Sequence, residues 1–408
     1  MPSSAAVSLD VARIRSCYPA LGDGYAYLDG AAGTQVSSSV VEAISGAYLA
    51  GLGNVGGAFP ASERSGHIVD SCRRAIADLV GGDASGVVLG PNMTTLTYRL
   101  AETLSRTWAE GDEVVVSRLD HDANVRPWVQ AASRVGAIIR WAEVDPVTGE
   151  LPAGQYDELI TDRTKLVAVT AASNLIGTRP DVVAIGRRAH KVGALLFVDG
   201  VHATPHGPID VVALGADLYA TSAYKWSGPH IGAIIARPEL LMSMHPDKLQ
   251  PSPDSVPERF ERGTLPFADL AGVVAAVEHL ASLDARATGS RRERIVISMT
   301  AVEAYEKAVF ERLLSGLVAT EHVTTYGHPV MRAPTTCFNV VGQTPVEVAR
   351  HLGSRGVNVW NGDNYAWELA GVLKIRDTGG AVRAGIVHYN DDSEVDRLLE
   401  AVAELAAS

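Results

Sequence analysis

Seven short apolar runs between residues 86 and 237 set the strongest limit on how this chain folds. They are GVVLG (86–90), DEVVVS (112–117), AIIRWAEV (137–144), TKLVAVT (164–170), ALLFVDG (194–200), DLYATS (217–222) and IGAIIAR (231–237). Most are continuous rather than alternating, the pattern of strands buried on both faces. Helical periodicity lies between them, so the expected class is α/β, with a mostly parallel sheet flanked by helices.

Before this stretch, residues 8–18 read as a short helix, and YAYLDGAAGT (25–34) reads as a strand entering a turn of small residues. Residues 37–50 and 62–80 are helical; Ile68, Cys72, Ile76 and Leu79 fall on one face. After it, residues 245–266 carry Pro246, Pro251, Pro253, Pro257 and Pro266, the mark of a long functional or disordered loop. An apolar helix follows over 268–284, then a basic run (Arg286, Arg291, Arg292, Arg294) read as a solvated junction. From 296 a second pattern begins: a long helix, strands at 322–326 and 336–341, a helix at 345–355, strands near 357–360 and 381–389, and a last helix at 392–406. The expected division is an N-terminal segment (1–24) packed with the small domain, a large α/β domain (25–284) and a smaller α+β domain (285–408). No internal repeat is present.

The chain has 408 residues and a formal charge of −12, which argues against non-specific nucleic-acid binding. A small anion remains possible, because helix N-termini bind phosphate without net positive charge. Cys17, Cys72 and Cys337 are odd in number and far apart, which argues against a disulfide framework and for a reducing, cytoplasmic setting. No apolar run approaches the ~18–20 residues of a membrane span, and the N-terminus lacks the order of a signal peptide.

Three motifs are set aside. GLGNVG (51–56) matches a dinucleotide-binding glycine pattern with Asp70 downstream, but it follows a helix rather than a strand, so a glycine loop is the better reading. His202 and His206 have metal-ligand spacing, but Pro205 between them breaks the helix. Cys337 lies in an apolar strand and reads as core.

Three further features carry chemistry when taken together. Asp199 ends a buried strand, at the carboxyl edge where open α/β sheets bind ligands; alone it is equally a turn acid. Lys225, in TSAYKWSGP (221–229), is the one lysine of six set among aromatics, serines and glycine at a strand end. Desolvation there would lower its pKa and free its amine; alone it could be a surface lysine. In VLGPNMTTLTYRLAETL (88–104) a strand turns into a helix, placing amides near Met93 to Thr95 and the Thr94 hydroxyl as a phosphate cradle, or as an ordinary N-cap. A lysine amine, a carboxylate and a phosphate cradle at one sheet edge are what pyridoxal 5′-phosphate requires. His121 could lie over its ring.

With NMTT (92–95), DHDAN (120–124), SNLIGT (173–178), VDGVHATPH (198–206), TSAYKWSGP (221–229), RFERGT (259–264) and VRAGIVHYN (382–390), the chain resembles class V aminotransferases over nearly its whole length. The resemblance is to the cysteine desulfurase-like branch of the fold-type I pyridoxal-phosphate enzymes. It implies Lys225 as the Schiff-base lysine, Asp199 as partner of the pyridine nitrogen, and His121 on the ring. His202 would neighbour the phenolic oxygen, and Asn174 would touch cofactor or substrate. Met93, Thr94, Ser222 and Tyr224 would serve the phosphate, with Thr264 reaching a phosphate in the partner subunit of a homodimer. Arg383 would bind the substrate carboxylate, near Ala31.

The desulfurase nucleophile is missing from VWNGDNYAWEL (359–369), where Tyr365 stands at the cysteine position and Trp360 replaces an upstream arginine. The expected protein is therefore a pyridoxal-phosphate enzyme acting at the Cα of an amino acid or amine, without persulfide chemistry, with Lys225 as base and Tyr365 as a proton relay. Trp360 and Trp367 would make an apolar substrate pocket or pack in the core. The alternatives are a C–S lyase or epimerase, a cofactor-binding scaffold without turnover, and a nicotinamide oxidoreductase using residues 51–56.

Overall fold

The computed structural model describes residues 9–406. In chain order the strands are β1 Ala26–Tyr27, β2 Val87–Gly90, β3 Glu113–Ser117, β4 Ile138–Ala142, β5 Thr164–Thr170, β6 Leu195–Asp199, β7 Leu218–Ser222, β8 Gly232–Ala236, β9 Val323–Tyr326, β10 Thr335–Val340, β11 Val357–Asn358, β12 Trp360–Gly362 and β13 Ala381–Gly385. The seven apolar runs form one sheet, ordered β2-β8-β7-β6-β5-β3-β4. Strands β7, β6, β5, β3 and β4 are parallel; β8 runs antiparallel between β7 and β2.

Continuous apolar runs have a direct structural cause. Neighbouring side chains on a strand point to opposite faces, and here both faces are covered. Val114, Val116, Leu166, Ala168, Phe197 and Ala220 join Leu96 and Leu100 of the Met93–Leu104 helix and Trp128 of the Arg126–Val135 helix. Val115, Val167, Val169, Leu196 and Val198 join Cys72 and Ile76 of the Pro60–Val80 helix, Ile185 of Val182–Lys191 and Leu270 of Phe267–Ala281. Each large apolar side chain so buried stabilises by about 1.5–3 kcal/mol.

A second sheet, β12-β13-β10-β9, is antiparallel throughout. Helices Arg291–Ala319, Pro345–Ser354 and Asp392–Ala406 bury Leu313, Val348 and Leu398 with its Phe338 and Val382. Cys337 is fully buried in β10.

Within 25–34 the chain is the short strand β1, which pairs with β11, followed by a turn, as expected. Two local readings change. The strand expected over 381–389 stops at Gly385; beyond it Val387 N–H donates to the Asn390 side chain (2.8 Å), which turns the chain. The basic run is not merely solvated. Arg291 and Arg294 lie in the first turn of the long helix and pair with Glu278, and Arg291 also pairs with Asp78. Among the described residues, no helix is long and apolar enough to cross a membrane.

Candidate active site

The carboxyl ends of β5, β6 and β7 are Thr170, Asp199 and Ser222, and the crevice beyond them collects the candidate residues. One pocket is lined by Met93, Thr94, His121, Asn174, Asp199, His202, Tyr224 and Lys225, among others.

Lys225 ends a single helical turn (Ala223–Lys225) after β7. The turn is closed by Ser227, which takes a left-handed conformation (φ 65°) and donates its N–H to Thr34 Oγ1 at 2.7 Å. The Lys225 amine is buried and donates to Ala31 O at 2.5 Å. Burial, reinforced by the nearby Arg383 cation and opposed by Asp199, lowers its pKa to about 7. A sizeable fraction is therefore uncharged at neutral pH.

Asp199 is 4% exposed. Its Oδ1 accepts the Val201 N–H (2.9 Å), and its other oxygen has no hydrogen-bond partner among the described residues. Burial raises its pKa to about 6. His121 begins the Asp122–Asn124 turn, its Nδ1 accepting the Ala123 N–H at 3.0 Å. Burial, then Lys225 and Arg383, depress its pKa to about 3, so the ring is neutral. His202 is buried, with Nε2 2.9 Å from Thr335 Oγ1. His206 does not share a metal geometry with it: its Nδ1 lies 2.8 Å from Glu306 Oε2.

The 92–95 turn is built against β8. Asn92 caps the helix by accepting the Thr95 N–H (2.8 Å), and the Met93 N–H donates to Ser222 Oγ (3.0 Å). Ser222 thus stands behind the turn rather than among the pocket-lining residues. Thr94 lines the pocket and is exposed to it. The close approach requires Gly232, where a Cβ would lie 2.3 Å from Asn92 C. Tyr224 stacks on His230, with ring centroids 4.8 Å apart.

Arg383, on β13, is 5% exposed and donates to Asn174 O at 2.9 Å. Asn174 in turn donates from Nδ2 to Asn364 O (2.8 Å), while its Oδ1 is buried without a partner among the described residues. Tyr365 O accepts the Asp122 N–H at 2.7 Å. The Tyr365 side chain is 72% exposed, and its ring stacks on His121. Trp360 is 53% exposed and sits across from Arg383 on β12; Trp367 is 47% exposed beside Arg376, so neither is core. Thr264 is exposed and is not among the pocket-lining residues of its own chain.

The sequence reading missed three supporting residues. Thr335 meets His202 from β10, 133 positions away. Glu368 takes hydrogen bonds from Arg118 (2.8 Å) and Arg126 (2.9 Å), tying the 363–368 loop to the His121 turn. Asp120 accepts from Ser117 and from Asn124, and burial lifts its pKa to about 8. Asp120 was visible within DHDAN; the other two had no local signal.

The donor set fits pyridoxal 5′-phosphate. A desolvated amine suits its aldehyde. The open oxygen of Asp199 suits a pyridine N–H. The exposed Thr94 at a helix start suits phosphate. The unpartnered Asn174 Oδ1 calls for a donor that the described residues do not supply.

Residues 26–398 match the aminotransferase class-V family. The chain is 40% identical over 400 residues to an uncharacterized protein of Mycobacterium tuberculosis, covering 98% of this chain and 100% of that one. It is 32% identical to a probable cysteine desulfurase of Pseudomonas aeruginosa, over 95% of this chain and 96% of the relative. Among solved structures it is similar to an apo cysteine desulfurase from Thermococcus onnurineus (TM-score 0.88, 28% identity, 98% of each chain). It is also similar to the Escherichia coli cysteine desulfurase CsdA (TM-score 0.86, 27% identity, 98% and 99%). The sheet, the desolvated lysine at its carboxyl edge and these likenesses lead to one conclusion: the chain belongs to the aminotransferase class-V family of pyridoxal-phosphate-dependent enzymes.

Proposed function

We propose that this enzyme acts at the Cα of an amino acid or amine and forms no persulfide on itself. The single observation behind this reading is the buried Lys225 amine, near-neutral in pKa and linked electrostatically to Asp199 and Arg383. When bound, pyridoxal phosphate supplies an electron-accepting ring. Lys225 would hold its aldehyde, Asp199 its pyridine nitrogen, His121 its ring face, His202 its phenolic oxygen, and Thr94 with the Met93 turn its phosphate. Arg383, which donates to Asn174 O, would bind the substrate carboxylate near Ala31. A neutral fraction of Lys225 gives the chain its own base for a Cα proton.

The case against persulfide chemistry rests on the loop at 363–366. Tyr365 stands where the desulfurase branch carries its thiol, and Cys72 and Cys337 are buried while Cys17 is only partly accessible. A phenol cannot take sulfur from cysteine by that route. The exposed phenol of Tyr365 has no hydrogen-bond partner among the described residues, which favours a contribution from its ring over proton relay. Three unpaired thiols agree with a cytoplasmic setting.

A homodimer with shared sites is part of the proposal. Helix Ser38–Ala50 leaves Tyr48 (67%) and Leu49 (88%) exposed, and Phe59 follows at 50%. An apolar face of this kind suits a second copy, and Thr264 is free to reach the other site. We also propose a large unit over 25–284 and a small one over 285–408, because the second sheet and its helices form their own apolar cluster.

The test is a product-resolved screen of the loaded protein against amino acids, amines and thioethers. The expected result is spectral change and product from at least one amino acid, and cysteine leaving no persulfide on the enzyme. A scaffold would show no product with any of them. Persulfide on Cys17, Cys72 or Cys337 after cysteine would overturn the loop reading.

A further inference from the structure

His202 has two ring nitrogens with unlike surroundings. Nε2 lies 2.9 Å from Thr335 Oγ1. Nδ1 has no hydrogen-bond partner among the described residues, and the residue lines the Lys225 pocket. Which nitrogen carries the proton decides whether His202 offers that pocket a donor or an acceptor.

Thr335 settles the choice. It is 0% exposed, at the start of β10 and opposite Gly385 of β13. A Cβ at Gly385 would lie 3.2 Å from Thr335 Oγ1, so the hydroxyl is seated closely against that backbone. Its only hydrogen-bond partner among the described residues is His202. If the hydroxyl merely accepted from an Nε2–H, its own proton would be buried without an acceptor, and such an orphaned donor is costly. If it donates to Nε2, the fully buried hydroxyl proton is satisfied and the ring proton sits on Nδ1, the nitrogen without a partner among the described residues, on a side chain that lines the Lys225 pocket.

The surroundings keep the ring neutral. Its pKa is pushed well below the ordinary histidine range by burial first, then by His206, Lys225, Arg383 and Arg179. The His206 ring meets it edge-on with centroids 5.0 Å apart. His206 is itself fixed from behind, by Glu306 at Nδ1 and by Arg179, which donates to His206 O at 2.8 Å.

We infer that Thr335 is a positioning residue that fixes His202 as the Nδ1–H tautomer, making it a neutral donor to the phenolic oxygen of the bound cofactor. The acceptor named here rests on the assignment under Proposed function; the tautomer rests on the chain alone. A donor at that oxygen favours its ionised form, so losing the donor makes the bound cofactor hold its proton to higher pH.

The experiment uses the full chain labelled with 15N-histidine, both stripped of and loaded with pyridoxal phosphate, with His202→Gln to assign the signal. The expected His202 pattern is a pyrrole-like Nδ1 and a pyridine-like Nε2 in both states. Thr335→Ser keeps this pattern, and Thr335→Val gives a tautomer mixture in the stripped protein. In the loaded protein the pH midpoint of the visible absorbance rises by about one unit in Thr335→Val, a tenfold change in proton affinity, and stays in place in Thr335→Ser. A pyrrole-like Nε2 in the wild-type chain overturns the inference, even if Thr335→Val fails to fold. So does a Thr335→Val protein with wild-type shifts and midpoint. Failure of the chain to take up pyridoxal phosphate would sink the cofactor assignment instead, while the nitrogen shifts still decide the tautomer.

Discussion

The ring of Tyr365 lies over that of His121, with centroids 5.5 Å apart and planes inclined by 21°. The contact joins the loop after β12, between two strands of the second sheet, to the turn that follows β3. Asn364 and Tyr365 both adopt left-handed backbone (φ 54° and 57°), which brings the ring onto the imidazole while the two carbonyls accept from Asn174 and Asp122. The outer face of His121 is thereby covered.

That geometry separates ring from hydroxyl. Tyr365→Phe is expected to keep turnover within about twofold. Tyr365→Ala is expected to lower it by roughly two- to tenfold, the range of an aromatic pair worth ~0.5–1.5 kcal/mol. Steady-state kinetics on both variants checks this; a large loss in the phenylalanine variant would restore proton relay by the phenol.

Asp199 gives a pH-dependent prediction for the cofactor-free protein. Its folded pKa, about 6, lies above the ordinary 3.8, so the folded chain binds this proton more tightly than the unfolded one. The stability linked to that proton is fully present below pH 3.8 and is lost as pH rises through 6. Asp199→Asn removes the buried charge. It is expected to melt higher than wild type at pH 7, by about 2–3 kcal/mol equivalent, and to lose the advantage near pH 4. Calorimetry at the two pH values reads the difference, and the same variant should lose turnover when loaded.

Glu368 is 15% exposed and holds Arg118 and Arg126 at once. Its replacement by Ala is expected to cost about 1–2 kcal/mol, a pair of partly screened, charge-assisted bonds. Because the tie orients the Tyr365 loop, KM should rise several-fold with kcat less affected. Equal KM values in wild type and variant would show that the loop is held by its backbone bonds alone.

Gly232→Ala would push the Asn92–Met93 backbone out of place, since its Cβ would come within 2.6 Å of Asn92 Cα and Met93 N. Backbone cannot yield as a side-chain tip does. Pyridoxal-phosphate affinity should fall at least about tenfold, roughly 1.4 kcal/mol, measured by equilibrium titration of the stripped protein. Ala233→Gly, one position along β8, should leave affinity nearly unchanged.

Thiol accessibility is the last expectation. Cys72 and Cys337 are fully buried, and burial pushes the Cys337 thiol up to about 12. Iodoacetamide on the native protein should label Cys17 alone, as read by peptide mass mapping. Rapid labelling of Cys337 would mean that β10 opens in solution.

The large sheet was legible because burial on both faces writes itself into contiguous sequence: a strand such as TKLVAVT has no polar face to show. Lys225, Asp199 and the Met93–Thr94 turn were legible for a related reason, each lying within a residue or a few of a strand end. Local sequence therefore fixed the strands, the carboxyl edge and the chemistry placed there. Only the tertiary structure brought Thr335 to His202, Asn174 to Arg383 and Glu368 to the His121 turn, across separations of 133, 209 and 242–250 residues. Those contacts arise when the second sheet docks against the first, and a hydrogen bond between distant segments leaves no periodicity in either one. The division has a physical basis: propensity and hydrophobic pattern act within a few residues, whereas tautomer, pKa and loop position depend on whichever groups packing makes neighbours.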